Sequence, residues 1–349
     1  MFKGQLKDYY KDSKDYKIHT SYFKEIKMAL LVNNIGGFTT GTRGIPTDMD
    51  NALEIYYGSV LTAFDRKQVF LDLVTTKSID SGSSISIPVI GQSSDADTNT
   101  HVPGTELTMS TVAVKERIIN IDALEYFAMA VDKFEEKVLH FETRGELAKQ
   151  AGEALAVKID KAVAALLVTA SQTSGTIGGV AVQADGTEVN NDVIDSGATP
   201  KAKGDALIEA VFNAVAQMEL KDVTGEKYLV VSPLIFSYLA QSDAVNNDIT
   251  SGDNGGINKG TVMEVAGIRI YKSNYIPTDS TVDVGGTDKK LKALVFTSEA
   301  VAVAKLMDVT SEVNYLPEQL ATLMTTYYSY GLGVLKPAGA CVITGGTVV

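Results

Sequence analysis

Residues 77–91 read KSIDSGSSISIPVIG, and in them Ile79, Ile85, Ile87 and Val89 fall on alternate positions. That alternation is what a half-buried strand requires. A polar stretch marked by Gly and Pro follows from Gln92 to Thr105, and then TMSTVAVKERIINI (108–121) reads as a second strand. Together they predict a two-stranded hairpin arm over residues 77–118, roughly 30–40 Å long at about 3.3 Å per residue. An isolated hairpin is marginal in water, and its open edges invite pairing. Neither the arm nor its tip supplies a cover, so the cover is expected from a neighbouring subunit. The expected intersubunit contacts are Ile85, Ile87, Val89, Val112 and Val114 on the strands, with Asp95, Asp97, His101 and Glu106 at the tip. On that reading Ile85, Ile87 and Val89 are buried only in the assembly.

The flanking sequence organises around a second element. Residues 142–170 predict one long helix, in which Leu147, Ala151, Leu155, Ile159, Val163 and Leu167 form an i+4 row suited to a core. At 1.5 Å per residue it is roughly 40 Å long. Before the arm, Asp50 to Asp65 predicts a shorter helix with Leu53, Tyr57 and Leu61 on one face. Between arm and long helix, IDALEYFAMAVDKFEEKV (121–138) reads as a linker and a short helix. Residues 171–203 are rich in Gly, Ser, Thr and Asp and predict loop or hairpins. A further helix (GDALIEAVFNAVAQMEL), a buried strand (KYLVVSP), a helix at 233–241 and a strand (GIRIYKSNYIP) follow, and the chain closes in β-rich sequence. Helices and strands come in blocks, which indicates an α+β class rather than βαβ alternation.

Composition excludes several functions. The longest apolar run, AVAALLVTA (162–170), is far short of the roughly 20 residues that span a bilayer, so no membrane partner is expected. The net charge is −12, and residues 1–27 hold seven Lys against four acidic residues, so the rest of the chain is more acidic still. Sequence-specific nucleic-acid binding by that acidic body is not expected, because phosphate neutralisation needs clustered Lys and Arg. A single cysteine, Cys341, rules out an internal disulfide and suits a reducing compartment. In its apolar setting it reads as a packed thiol rather than a nucleophile.

Chemistry-bearing patterns are few. There is no HExxH, CxxC or GxSxG, and His19, His101 and His140 lie far apart, so neither a metal nor a cofactor is expected and no catalytic residue is assigned. GDNGGINKGT lacks the Gly-Lys-Ser/Thr ending of a phosphate loop. Asp95, Asp97, Asn99, His101 and Glu106 match calcium-loop positions, but Thr100 replaces the turn glycine and Pro103 interrupts the loop. A solvated hairpin tip is the better reading.

Five stretches in order carry a resemblance: ALEIYYGSVLTAFDRKQVF (52–70), SISIPVIG (84–91), ERIINIDAL (116–124), KQAGEALAVKIDKAVAALL (149–167) and GLGVLKPAGACVI (331–343). They resemble the major capsid proteins of short-tailed, autographivirus-like phages. The resemblance implies the HK97-like fold, with an N-terminal arm at 1–51 (of which 1–27 is a basic extension) and an extended E-loop at 77–118. It further implies a P-domain from 52–76, 119–202 and 307–339, with its spine helix at about 142–170, and an A-domain from 203–306 and 340–349. It implies self-assembly into hexamers and pentamers of an icosahedral shell, with a scaffolding protein, a portal protein and packaged double-stranded DNA as partners. The implied location is the virion capsid, assembled in the host cytoplasm. Residues 1–27 are extra to the pattern, and Lys336-Pro337-Ala338-Gly339 lacks the acid of the usual motif, which puts a salt bridge there in question. Two alternatives remain: an encapsulin-type compartment shell, which shares the fold, and an enzyme with a swapped dimerisation arm.

Overall fold

A computed structural model describes residues 48–91, 98–101, 103–104, 106, 109–110, 112–121, 124–132, 134, 143–177, 179–242, 255–256, 261–262, 264–277, 281–284 and 287–347. Residues 48–349 form one compact unit. Its strands, numbered along the chain, begin with β1 (Thr75–Ser78), β2 (Ser84–Ile90), β3 (Val114–Asn120) and β4 (Leu124–Asp132). After the long helix come β5 (Thr176–Ile177), β6 (Val180–Ala181), β7 (Thr187–Asn190), β8 (Lys227–Val231), β9 (Gly255–Gly256) and β10 (Thr261–Val262). The remainder are β11 (Glu264–Val265), β12 (Ile268–Lys272), β13 (Thr281–Val284), β14 (Thr287–Thr297), β15 (Val301–Leu316), β16 (Ala321–Val334) and β17 (Ala340–Thr347).

The long helix spans Thr143–Gln172 and is the centre of the largest core. Ala151, Leu155, Ile159, Val163 and Leu167 are buried and Leu147 is partly buried. Alanines 148, 156 and 164 are buried beside that row, and their small side chains let neighbouring elements approach closely. The Asp48–Lys67 helix packs along it. Its buried residues are Tyr56, Val60, Ala63 and Phe64, one position from the expected row, of which Tyr57 is 38% exposed and Leu61 is partly buried against the same core. Both rows have i+4 spacing. The structure selects Tyr56 because its hydroxyl reaches Thr326 Oγ1 at 3.0 Å and Phe64 sits 6.0 Å from the Tyr328 ring. The Leu53 side chain is outside the described residues.

Two sheets flank these helices. In one, the order is β1-β15-β16-β4, with β1 parallel to β15 and the other pairs antiparallel. The other runs β11-β12-β8-β14-β17-β7, with β13 added to β14. Strand alternation splits the larger sheet between two cores. Val230, Leu294, Phe296 and Val342 face the long helix, whereas Leu229, Val231, Val295, Cys341 and Ile343 face the Pro200–Leu220 and Pro233–Ala240 helices. The first starts at Pro200, four residues before the expected Gly204, and the second at Pro233 as expected; Thr199 Oγ1 accepts from Ala202 N and Ser232 Oγ from Ile235 N, each followed by proline. Cys341 is buried in the second core, and burial pushes its thiol up to about 12.

Residues 124–132 form strand β4 rather than the expected short helix. Ala, Met, Leu and Glu favour a helix, but every residue of β4 is paired with β16, and that ladder overrides local propensity.

Candidate assembly interface

β2 and β3 pair antiparallel from Ser84↔Asn120 to Ile90↔Val114, with Gly91 N donating to Ala113 O beyond the last pair. Each strand has seven residues, so the regular ladder is about 23 Å at 3.3 Å per residue, shorter than expected. Lys77 and Ser78 belong instead to β1, paired with Ala304 and Lys305.

The two faces of the hairpin differ sharply. On the inner face, Ile85 and Ile87 pack against a small core of Ile119, Ile121, Ala302 and Ala304. Val89 is only 6% exposed. The expectation that these three side chains are buried only in an assembly is therefore corrected: Ile85 and Ile87 already pack on the protomer's own sheet, and Val89 is buried within the protomer. Glycine explains why. A Cβ at Gly333 of β16 would lie 2.4 Å from Ile119 Cγ1, and one at Gly331 would lie 2.4 Å from Asn120 O. Without side chains at these positions the hairpin lands directly on the sheet. Nothing in the local sequence of the GLG segment (331–333) signals this packing role.

The outer face is mixed, with Ser84, Ser86, Glu116 and Asn120 beside several exposed apolar side chains. Ile90 is 68% exposed and Ile118 66%, and Val112, Val114 and Met109 are exposed too. Polar support is local: Ser86 Oγ donates to Glu116 Oε2 at 2.6 Å. Arg117 points inward with Nε and Nη2 occluded and without hydrogen-bond partners, and this desolvation lowers its pKa. At the tip, His101 and Glu106 are exposed, while Asp95 and Asp97 lie outside the described residues. Among the described residues no group of three or more His, Cys, Asp or Glu can hold a metal ion.

Two further contacts anchor the arm's surroundings. Asp160 of the long helix is fully buried and accepts from Val69 N at 3.0 Å and Phe70 N at 3.2 Å. It thereby pins the turn that leads from the first helix into β1. Burial pushes its carboxyl up to about 6, against the opposing pull of those two N–H groups. Lys336 forms an ion pair with Glu299, so the segment lacking the usual acid finds a partner in the β14–β15 turn. Ile90, at the tip-side end of the β2–β3 ladder, lines a cavity of about 210 Å³ with Gln183, Lys221, Thr297, Lys336 and Gly339.

The family model described as "Gp10A-like: Major capsid protein" matches residues 86–344, from the hairpin through β17. The chain belongs to the Gp10A-like major capsid protein family. The major capsid protein of Enterobacteria phage T3 is 36% identical over 117 residues, which is 33% of this chain and 33% of that protein. The match thus spans about a third of the length of this curated relative. Among solved structures, the capsid of cyanophage P-SCSP1u is 29% identical with a TM-score of 0.68, covering 80% of this chain and 89% of that one. The mature capsid of bacteriophage PhiM1, at 17% identity and TM-score 0.66, covers 81% and 88% and speaks to the fold alone. The fold is HK97-like, and α+β as the block order of the Gp10A-like sequence indicates.

Proposed function

We propose that this Gp10A-like chain is the building block of a phage head, where copies gather into hexamers and pentamers of an icosahedral shell around double-stranded DNA. Its work is structural rather than catalytic, and its place is the virion. The observation that carries this is the family match over residues 86–344, joined to a hairpin whose outer face presents Ile90, Val112, Val114 and Ile118 to solvent. Apolar patches of this kind mark interaction sites. In this reading the 77–118 region is the E-loop lying over the next copy, and the Thr143–Gln172 helix is the spine of a P-domain completed by the four-stranded sheet. The seven-stranded sheet with its two helices forms the A-domain. A scaffolding protein guides assembly, a portal protein occupies one vertex, and the acidic body leaves packaged DNA without sequence-specific contacts. Family membership supports this over a compartment shell, which has only the fold in its favour.

Electron microscopy of the purified full chain, alone and with a co-expressed scaffolding protein, tests the proposal. Closed shells are expected, and their absence under both conditions would overturn it. The double variant Val114→Asp, Ile118→Asp places charge on the outer face only. It should unfold at the wild-type temperature within a few degrees yet give few shells, and normal shells from it would refute the contact.

A further inference from the structure

The far end of the arm has a support of its own. Gly91, just past the β2–β3 ladder, comes so close to Val182 that a Cβ there would lie 3.3 Å from Val182 O. β3 touches β5, and Ile90 shares a cavity with Gln183, Ala184 and Lys221. The supporting element is the β5–β6 hairpin, which pairs with neither large sheet and has only two residues in each strand. So short a hairpin is marginal by itself and must be held from outside. Its neck is closed where Gly175 O accepts from Val182 N at 3.3 Å and Gln183 N at 3.2 Å, and where Asp185 Oδ1 accepts from Gly175 N at 2.7 Å. The outside hold is Lys221. Its Nζ donates to Asp185 O at 2.9 Å, Gly186 O at 2.8 Å and Thr187 Oγ1 at 2.7 Å.

Lys221 is the C-cap residue of the Pro200–Leu220 helix, whose buried face belongs to the second core. An ammonium group has three N–H donors, and here all three go to one turn. Burial lowers its pKa, and the three acceptors offset that loss of hydration. Asp185 joins the two halves of the relay, with its carbonyl on Lys221 and its carboxylate on Gly175. We propose that Lys221 is a positioning residue for the arm: it fixes the 185–187 turn, the turn fixes the β5–β6 hairpin through Asp185 and Gly175, and the hairpin sets the tilt of the arm's far end. The near end lands on Gly331 and Gly333 of the four-stranded sheet. The arm therefore spans two supports, one from each sheet's side of the protein, and its tilt follows how those two sides are set.

This inference rests on reading the arm as the contact with the next copy, and its test separates the two. Lys221→Met keeps the stem of the side chain and removes the three donors. Hydrogen exchange on the unassembled full chain reads the positioning. Amides of 84–91 and 114–120 should exchange about tenfold faster or more than in wild type, together with those of β5, β6 and the 185–187 turn, while amides of 151–167 and 207–218 keep their wild-type rates. A rise confined to β5, β6 and the turn would show that the arm does not depend on this hairpin and would overturn the proposal. An equal rise in every segment would overturn it too, because Lys221 would then support only the global fold. Gly175→Ala disturbs the same support without touching the lysine, since its Cβ would collide with Gln183 O. It should give the same pattern, and wild-type exchange in the arm of that variant would refute the relay. Shell yield by electron microscopy answers the other question. Lys221→Met should lower it about tenfold, because a loosened arm must be ordered on contact. A loosened arm with wild-type yield would leave the positioning intact and overturn the arm's part in assembly.

Discussion

Asp160 ties the stability of this chain to pH in a direction opposite to that of most carboxylates. It is fully buried, its pKa lies at about 6 against an ordinary 3.8, and the dominant cause is loss of hydration. The folded chain therefore holds this proton more tightly than the unfolded chain does between about pH 4 and 6. The stability lost by burying the anion is zero below that window, grows as pH rises through it, and is constant above it. The full difference corresponds to about 3 kcal/mol. Solubility confines the experiment to pH values above the isoelectric point near 4.8. Between pH 7.5 and 5 the expected gain from this one group is about 1.4 kcal/mol. Asp160→Asn removes the titration but keeps one oxygen, so one of the two N–H groups of Val69 and Phe70 loses its acceptor at about 1–3 kcal/mol. Near pH 7.5 that loss and the relief from charge burial largely offset, and the variant should lie close to wild type. At pH 5 it should trail by about 1.4 kcal/mol more. Urea unfolding of unassembled chain, followed by circular dichroism at several pH values, measures the difference between the two proteins and cancels every other titrating group. Parallel curves would show that folding does not raise the Asp160 pKa and would refute the reasoning.

Two other outcomes follow from the arm. Gly333→Ala puts a methyl group 2.4 Å from Ile119 Cγ1, and such overpacking should lower protomer stability by about 1–3 kcal/mol in thermal melts; an unchanged melt would mean the hairpin does not rest on β16. A side-chain isopeptide bond from the arm's tip needs a lysine there, and none occurs between Ser78 and Val114; the arm's own lysines are Lys77, paired in β1, and Lys115, opposite Val89 in the ladder. Shells boiled in detergent should therefore run as a single band near 37.2 kDa, and a ladder of multiples would contradict this.

What was legible in the sequence was whatever a single periodicity determined. The 147–167 row has one apolar stripe and strong helix formers, and the Thr143–Gln172 helix turns that stripe into the core. Residues 85, 87 and 89 alternate cleanly, and the hairpin has them on one face. Where two patterns coexist, periodicity cannot choose. In the first helix the rows 53–57–61 and 56–60–64 are both apolar, and only the hydroxyl partner at Thr326 and the ring of Tyr328 single out the second. In 124–131 nearly every residue is apolar, so the period-2 signal of β4 vanished and helix propensity filled the gap. Landing sites are equally invisible, because Gly331 and Gly333 matter only through atoms more than two hundred residues away in sequence.

The same long-range contacts explain how an arm can be stable before assembly and still drive it. A hairpin exposed on both faces would be marginal and would leave the unassembled chain prone to promiscuous pairing. Here one face packs inside the protomer, on Ala302 and Ala304 of β15 and over Gly331 and Gly333 of β16, and that contact fixes the arm's direction. The opposite face keeps Ile90, Val114 and Ile118 exposed at 68%, 59% and 66%. Covering the exposed part of each on a neighbour recovers roughly 1–2 kcal/mol per side chain. Because the arm is already oriented, little of that gain is lost to ordering the backbone on contact. Substitutions on the inner face should consequently weaken both folding and assembly, whereas those on the outer face should weaken assembly alone, and that asymmetry distinguishes a pre-oriented arm from one that orders only when it meets its neighbour.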